Sequence, residues 1–469
     1  MEHVGMVVSA EGREADVLVQ DERVETGSIL RIEDYYGIVA YMRYREDEKI
    51  GSKQKLIASV QIFGKLTKNR LVRIKKPIPP YSKVYLAGEK ELNMMLSGEK
   101  NISLGVVYGT KARALLNPAE YDRHMAILAS TGAGKSYTAA NLIKEYLMLS
   151  LPVLIVDTHG EYPRLLSHIL KDKDIDVMVY TVKHPRSGYG ELKIPVSILS
   201  PEDFGHFIYL TEPQKSALET VLDKFEKTDY MLEDIIEGTG MLSTNDFHEG
   251  TIKALKRKLI SLQRTFKNVF DRYGTDITEL MKPYQVTIID ASYAPAGVRQ
   301  SVVSYLSHEL LAGRIRHKNE MSDPIEYDLL FVVEEAHNYA NSRLAHSCRF
   351  QLARIASEGR KFGIGLCVIS QKPSKIDEEI LSQCNTGIYM HITNPSDKDH
   401  IRRSFESIND EIIKDLDSLD VGECIIAGAL NRIPFLLCSV DDIGISREEG
   451  MKFNYSRIEK TDLGDSDYV

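Results

Sequence analysis

The chain has 469 residues and a net charge of −9; 43% of its residues are hydrophobic and 27% charged. These proportions are those of a soluble globular protein of about three domains. No apolar run approaches the roughly 20 residues of a membrane span, and Met1-Glu-His-Val-Gly5 lacks a signal peptide's basic start, so a cytoplasmic protein with no membrane partner is expected. The acidic balance excludes a uniformly basic nucleic-acid binder, though not one that keeps its basic residues on one face or inside a ring. The five cysteines, at 348, 367, 384, 424 and 438, form no Cys-x-x-Cys pair. Neither a zinc site nor a disulfide framework is expected, and buried free thiols are.

The first 110 residues read as all-β. Short runs at Val4–Ser9, Ala15–Val19, Ser28–Ile32, Tyr36–Met42, Lys55–Gln61, Leu71–Lys75, Lys83–Leu86 and Ile102–Tyr108 are separated by turn residues, the pattern of a small barrel. A basic stretch within them (Lys65, Lys68, Arg70, Arg73, Lys75, Lys76) fits either a solvated strand face or a phosphate-backbone contact. From about residue 110 strands and helices alternate, the rhythm of a parallel sheet. Residues 200–283 interrupt it with helical patterns, one placing Ile252, Leu255, Leu259, Leu262 and Phe266 on one face and Lys253, Lys256, Arg257, Lys258, Arg264 and Lys267 elsewhere. That basic face suits solvent, DNA or a partner. The sheet rhythm returns over 284–445, and the tail at 446–469 is polar and acidic at its end.

Ala129-Ser-Thr-Gly-Ala-Gly-Lys-Ser136 is the strongest motif, a phosphate-binding loop with Ala in place of the first Gly. An apolar strand pattern, His124–Leu128, precedes it and a helical pattern follows, as the motif requires. Backbone N–H groups of the turn cradle phosphates, Lys135 reaches the β- and γ-phosphates, and the Ser136 hydroxyl binds Mg²⁺. Tyr137 sits in the first helical turn. Ala129 is tolerable there only if its φ is negative.

Leu329-Leu-Phe-Val-Val-Glu-Glu-Ala-His337 is a buried strand that releases two acids at its C-terminal end, where parallel sheets bind ligands. Glu334 is expected in the Mg²⁺ shell and Glu335 on the attacking water. Gly363–Ser370 is a further buried strand, after which Gln371 can bond a γ-phosphate or the lytic water. Arg360 lies just before that strand. It suits either a charge-neutralising role in a neighbour's site or a surface position at a helix end.

These stretches, with Asp157-Thr-His-Gly-Glu-Tyr162, Leu381–Asn385 and Leu419–Glu423, resemble the HerA family of DNA translocases, relatives of the FtsK motors, over nearly the whole chain. The resemblance implies an α/β fold: a RecA-like P-loop ATPase core with an N-terminal β-barrel (a HAS-barrel, 1–110) and an inserted helical bundle (200–283). The core would be split between 111–199 and 284–445. It implies ATP and Mg²⁺ as cofactors, a homohexameric ring passing double-stranded DNA through its pore, and a NurA-type nuclease partner in end resection. Carried onto this sequence, the nucleotide contacts are Arg123, Thr131, Gly132, Ala133, Gly134, Lys135, Ser136 and Tyr137. Glu335 is the catalytic acid, Arg360 an arginine finger acting in trans, and Asp157 an acid needed for activity. Cys438 and Ser439 are expected to border the adenine. A ring ATPase of conjugation or anti-phage defence, and a nucleotide-gated scaffold for a nuclease, stay open as alternatives.

Overall fold

The structure is a computed structural model. It describes residues 3–445 apart from 47–53, 68–69, 73–75, 99–100, 117–123, 183–184, 226–229, 267, 343–346, 406–407, 409 and 429–432. Arg123, Lys68, Arg73, Lys75, Lys267 and the tail at 446–469 therefore lie outside the described residues.

Seven strands open the chain: β1 (His3–Glu11), β2 (Glu14–Val19), β3 (Ile29–Ile32), β4 (Tyr35–Glu46), β5 (Gln54–Thr67), β6 (Arg70–Val72) and β7 (Lys83–Leu86). Their hydrogen-bonded order is β2-β1-β7-β3-β4-β5-β6, and β2 also pairs with β5, so six of them close into a barrel. Alternation does the closing: Val4, Val17, Leu30, Ile32, Val60 and Val84 point into a core of their own. β5 runs longer than its apolar pattern, through Thr67, because β4 pairs with it from Gln54 to Lys65 and β6 pairs with it from Lys65 to Thr67. Within the basic stretch, Lys65 Nζ sits 2.7 Å from Asp34 and is locally neutralised.

After α1 (Glu89–Leu96) come β8 (Ile102–Val107), β9 (Arg113–Leu116), β10 (His124–Leu128), α2 (Lys135–Met148), β11 (Val153–Asp157), α3 (Tyr162–Leu170), β12 (Asp176–Thr181) and β13 (Gly190–Glu191). Two dipeptide strands, β14 (Ile194–Pro195) and β15 (Phe270–Asp271), pair in parallel and close the neck of a helical insertion. The insertion holds α4 (Pro201–Phe207), α5 (Glu212–Leu222), α6 (Leu232–Gly240) and α7 (Glu249–Thr265). Ser200 caps α4 by accepting from the Asp203 N–H, and Pro213 stands in the first turn of α5. Ala217, Leu218 and Val221 of α5 are buried in the same core as Ile252, Leu255, Leu259 and Leu262 of α7. Part of the basic side of α7 is structural: Lys258 Nζ donates to Tyr209 O (2.7 Å) and Gln214 Oε1 (2.8 Å).

The chain then returns through β16 (Gln285–Asp290), α8 (Ala296–Lys318), β17 (Leu329–Val333), α9 (Ser347–Glu358), β18 (Ile364–Ser370), α10 (Glu378–Ser382), β19 (Cys384–Tyr389), α11 (Pro395–Ser404), α12 (Asp410–Asp415), β20 (Glu423–Ala427) and β21 (Phe435–Val440). The main sheet has twelve strands in the order β13-β12-β16-β11-β17-β18-β10-β19-β20-β21-β8-β9. It is parallel from β13 to β19 and antiparallel from β19 onward. Strands β10, β11, β17 and β18 are buried at every residue, as a sheet covered on both faces requires. All five cysteines are buried free thiols. Among the described residues no helix is long and apolar enough to cross a membrane.

Candidate active site

The phosphate loop leaves β10 at the C-terminal edge of the sheet. Gly132 (φ 82°) and Gly134 (φ 103°) adopt the left-handed backbone that only glycine takes without strain. Ala129 does not: its N–H bonds Ser370 O (3.2 Å) and the next, Ser130 N–H, bonds His391 O (2.8 Å), which continues the sheet and leaves room for a methyl group. Gly134 caps α2 without any side-chain hydrogen bond, so the first N–H groups of this 14-residue helix remain available to an anion. Lys135 and Ser136 open that helix.

β18 lies between β10 and β17, and this order decides which side chains meet. Leu128 is level with Ser370, and Val368 with Val333. Gln371 thus emerges between the phosphate loop and the two acids. Thr131 Oγ1 donates to Gln371 Oε1 (2.5 Å), and Gln371 Nε2 donates to Glu335 Oε1 (2.5 Å). Lys135 Nζ stands 3.7 Å from the same Glu335 oxygen, with both side chains buried. Burial drives the Lys135 pKa down, and Glu335, Glu334 and Glu161 oppose that shift. Burial also acts to raise the Glu335 pKa, but His337, Lys135 and Gln371 outweigh it and hold the carboxyl below its ordinary value.

Glu335 itself has φ 49° and ψ 46°. A left-handed non-glycine residue costs roughly 1–2 kcal/mol, and such strain concentrates at functional sites. Here it turns the chain sharply, so consecutive carboxylates face different neighbours. Glu335 faces the phosphate loop. Glu334 faces β11, where its Oε2 accepts from the Thr158 N–H (2.8 Å) and its Oε1 lies 3.5 Å from His159 Nδ1. The Glu334 contact raises the His159 pKa.

Asp157 ends β11, fully buried. Its Oδ1 accepts from the N–H groups of His159 (3.1 Å) and Gly160 (2.7 Å), and its Oδ2 from that of Tyr162 (3.0 Å). It ties down the turn that carries Thr158 and His159 to Glu334. Burial, with Glu334 close by, raises its pKa. Thr158, Tyr339, His337 and Ser370 belong to the same network, and motif reading did not single them out as functional. Thr158, His337 and Ser370 do lie inside or beside the stretches quoted above, whereas Tyr339 lies outside them.

Arg360 stands elsewhere. It is an exposed residue of the 3₁₀ turn Gly359–Phe362, before the first residue of β18, at the opposite edge of the sheet from Gln371. Cys438, expected with Ser439 beside the adenine, lies in β21, paired with β20, and the Gly422 N–H just before β20 bonds Ala133 O of the phosphate loop (3.4 Å). The Cys438 side chain is fully buried in the β20–β21 hairpin, level with Cys424, because alternation turns it into the sheet's packing layer. Ser439, next to it, is partly exposed. The segment that does flank the helix of the phosphate loop follows them: Asn141 Nδ2 donates to Asp441 O (2.8 Å) and Tyr137 OH to Ile445 O (3.4 Å).

A glycine-turned phosphate loop, a strand inserted between it and a pair of acids, and a polar residue at that strand's end define a P-loop ATPase of the RecA-like kind. Residues 102–310 match the family model described as "Helicase HerA, central domain", a span that holds the phosphate loop and the helical insertion. It is 29% identical over 389 residues to "DNA double-strand break repair helicase HerA" of Saccharolobus solfataricus, covering 76% of this chain and 72% of that one. It is 28% identical over 448 residues to the Pyrococcus furiosus protein of the same description, covering 83% and 78%. Among solved structures, VirB4 of Thermoanaerobacter pseudethanolicus shares the fold with a TM-score of 0.55 at 15% identity, covering 74% of this chain and 98% of that one. The bacterial conjugative coupling protein TrwBdeltaN70 does so with a TM-score of 0.50 at 14% identity, covering 76% and 92%.

Proposed function

We propose that this chain is an ATP-dependent double-stranded DNA translocase or helicase that works as a homohexameric ring with a NurA-type nuclease in DNA end resection and recombinational repair. One observation carries the reading: the Lys135–Glu335–Gln371–Thr131 cluster occupies one edge of the sheet, while Arg360 occupies the other. With Lys135 committed to the bound phosphates, Arg360 of a second subunit would add the arginine for the transferred phosphoryl group.

The donor set fits a nucleoside triphosphate with Mg²⁺. The glycine turn offers backbone N–H groups, Lys135 is a buried cation, and Glu335 Oε2 is a buried carboxylate oxygen with no aligned hydrogen bond among the described residues. Ser136 and Glu334 would hold Mg²⁺, which offsets phosphate charge when bound. Lys135 holds the phosphates, Glu335 orients the water and takes up its proton, and Gln371 links the water's position to the phosphate loop through Thr131. Asp157 positions the Glu334 side of the site. Tyr137 and the partly exposed Ser439 are assigned to the nucleoside end, and Arg123 to a second arginine contact.

Steady-state ATPase with and without duplex DNA tests the reading, alongside native mass with and without ATP. The expected results are DNA-stimulated turnover that Glu335→Gln abolishes, and a ring of six copies. Turnover indifferent to DNA in a chain that stays monomeric would refute it.

A further inference from the structure

Glu335 has two carboxylate oxygens, and different chain segments address them. Gln371, after β18, donates to Oε1 at 2.5 Å. His337 faces Oε2: its Nδ1 lies 3.1 Å away, in the single 3₁₀ turn Ala336–Asn338 that follows the left-handed Glu335. The same nitrogen lies 3.1 Å from Ser370 Oγ, at the last residue of β18. Only the Ser370 contact is aligned as a hydrogen bond, and Glu335 Oε2, although buried, has no aligned donor among the described residues. A carboxylate oxygen only accepts, so it needs an N–H, whereas a hydroxyl can donate or accept. A buried oxygen left without its bond is costly, and the nearest group able to relieve it is His337 Nδ1. A small rotation of the ring is enough, since the distance is already that of a hydrogen bond. Hydrogen bonds of this kind commonly tighten only when the reacting groups are in place.

We propose that His337 is a positioning residue for Glu335, donating from Nδ1 to Oε2 while Gln371 donates to Oε1, so that the carboxylate plane is fixed toward the attacking water. Ser370 holds the ring in reach of Oε2 and competes for the same nitrogen. The inference rests on Glu335 being the catalytic acid. A carboxylate held at one oxygen only can rotate about its last torsion, and misplacement by about 1 Å costs on the order of 100-fold in rate.

The test compares His337→Ala and His337→Asn with wild type in three measurements: kcat, equilibrium binding of a non-hydrolysable ATP analogue, and thermal melting. His337→Ala should lower kcat roughly 10- to 100-fold while analogue affinity stays within about twofold. His337→Asn, whose amide N–H can stand where Nδ1–H stood, should recover most of the rate. Wild-type kcat in His337→Ala would overturn the inference. So would affinity and melting temperature falling together with kcat, or Asn being no better than Ala in variants that melt like wild type. Glu335→Gln separates the two levels. Near-normal turnover in that variant defeats the assignment of Glu335 itself, whereas an inactive Glu335→Gln beside a fully active His337→Ala defeats only the role of His337.

Discussion

Arg360 and Lys135 should complement each other between subunits. β18 has seven residues, Ile364–Ser370, and its six rises of about 3.3 Å separate its two ends by about 20 Å. Gln371, at one end, touches Thr131 of the phosphate loop, and Arg360 lies beyond the other end. An extended arginine side chain reaches only about 7 Å from its Cα, so Arg360 falls short of its own subunit's site by more than about 10 Å. Lys135→Ala and Arg360→Ala should each abolish ATPase activity in a homogeneous assembly. Mixed one to one before assembly, they should regain activity. In a head-to-tail ring assembled at random, about one interface in four joins an Arg360→Ala subunit, which keeps Lys135, to a Lys135→Ala subunit, which keeps Arg360. The mixture should therefore reach about a quarter of wild-type turnover per subunit, read in a coupled phosphate-release assay. A mixture no more active than its parents, in assemblies that native mass shows to contain both, would refute the argument.

Three further outcomes follow from the geometry. If Glu335 is the general base proposed above, Glu335→Gln should lower kcat by about 10²- to 10⁴-fold while nucleotide affinity is retained, because the phosphate cradle is untouched; single-turnover kinetics and equilibrium binding separate the two. His124, at the start of β10, accepts from the Leu366 N–H through Nδ1 (2.9 Å), and burial pushes its pKa down from 6.5 to about 4, with Arg360 nearby acting in the same direction. The unfolded chain then binds this proton at higher pH than the folded one, so the contribution is present above pH 6.5 and lost as pH falls toward 4. The 6.5 − 4 difference corresponds to roughly 3 kcal/mol at most. His124→Asn should flatten the fall in melting temperature between pH 7 and pH 5, and an unchanged slope would count against it. Gly105→Ala, in β8, would bring a Cβ within 2.0 Å of Ser439 O, a backbone atom that cannot move aside. It should separate β8 from β21 and lower stability by at least about 2 kcal/mol, as measured by denaturant unfolding; wild-type stability would contradict the pairing.

Much of the architecture could be read locally. β10, β11, β17 and β18 are short apolar runs that a doubly covered sheet demands, and the glycines of 132–134 mark a turn that few other residues could make. The extent of β5 could not be read this way. Its length is set by cross-strand pairing with β4 and β6, not by its own composition. Cys438 shows a similar limit at the site. Strand alternation says that a residue faces one side or the other, but only the packed hairpin shows that its side is closed.

The sequence alone determined that a triphosphate-binding turn exists, which residues carry charge around it, and that two acids end one buried strand, because those properties depend on residue type and near-neighbour spacing. The tertiary structure decided which of those residues meet. The insertion of β18 between β10 and β17 brings Gln371 to both Thr131 and Glu335. The left-handed backbone at Glu335 sends Glu334 to β11 and Glu335 to Lys135. Strand direction sets Arg360 at the far edge. Each of these depends on strand order or on a backbone torsion imposed by packing, and neither is encoded by any short stretch of the chain.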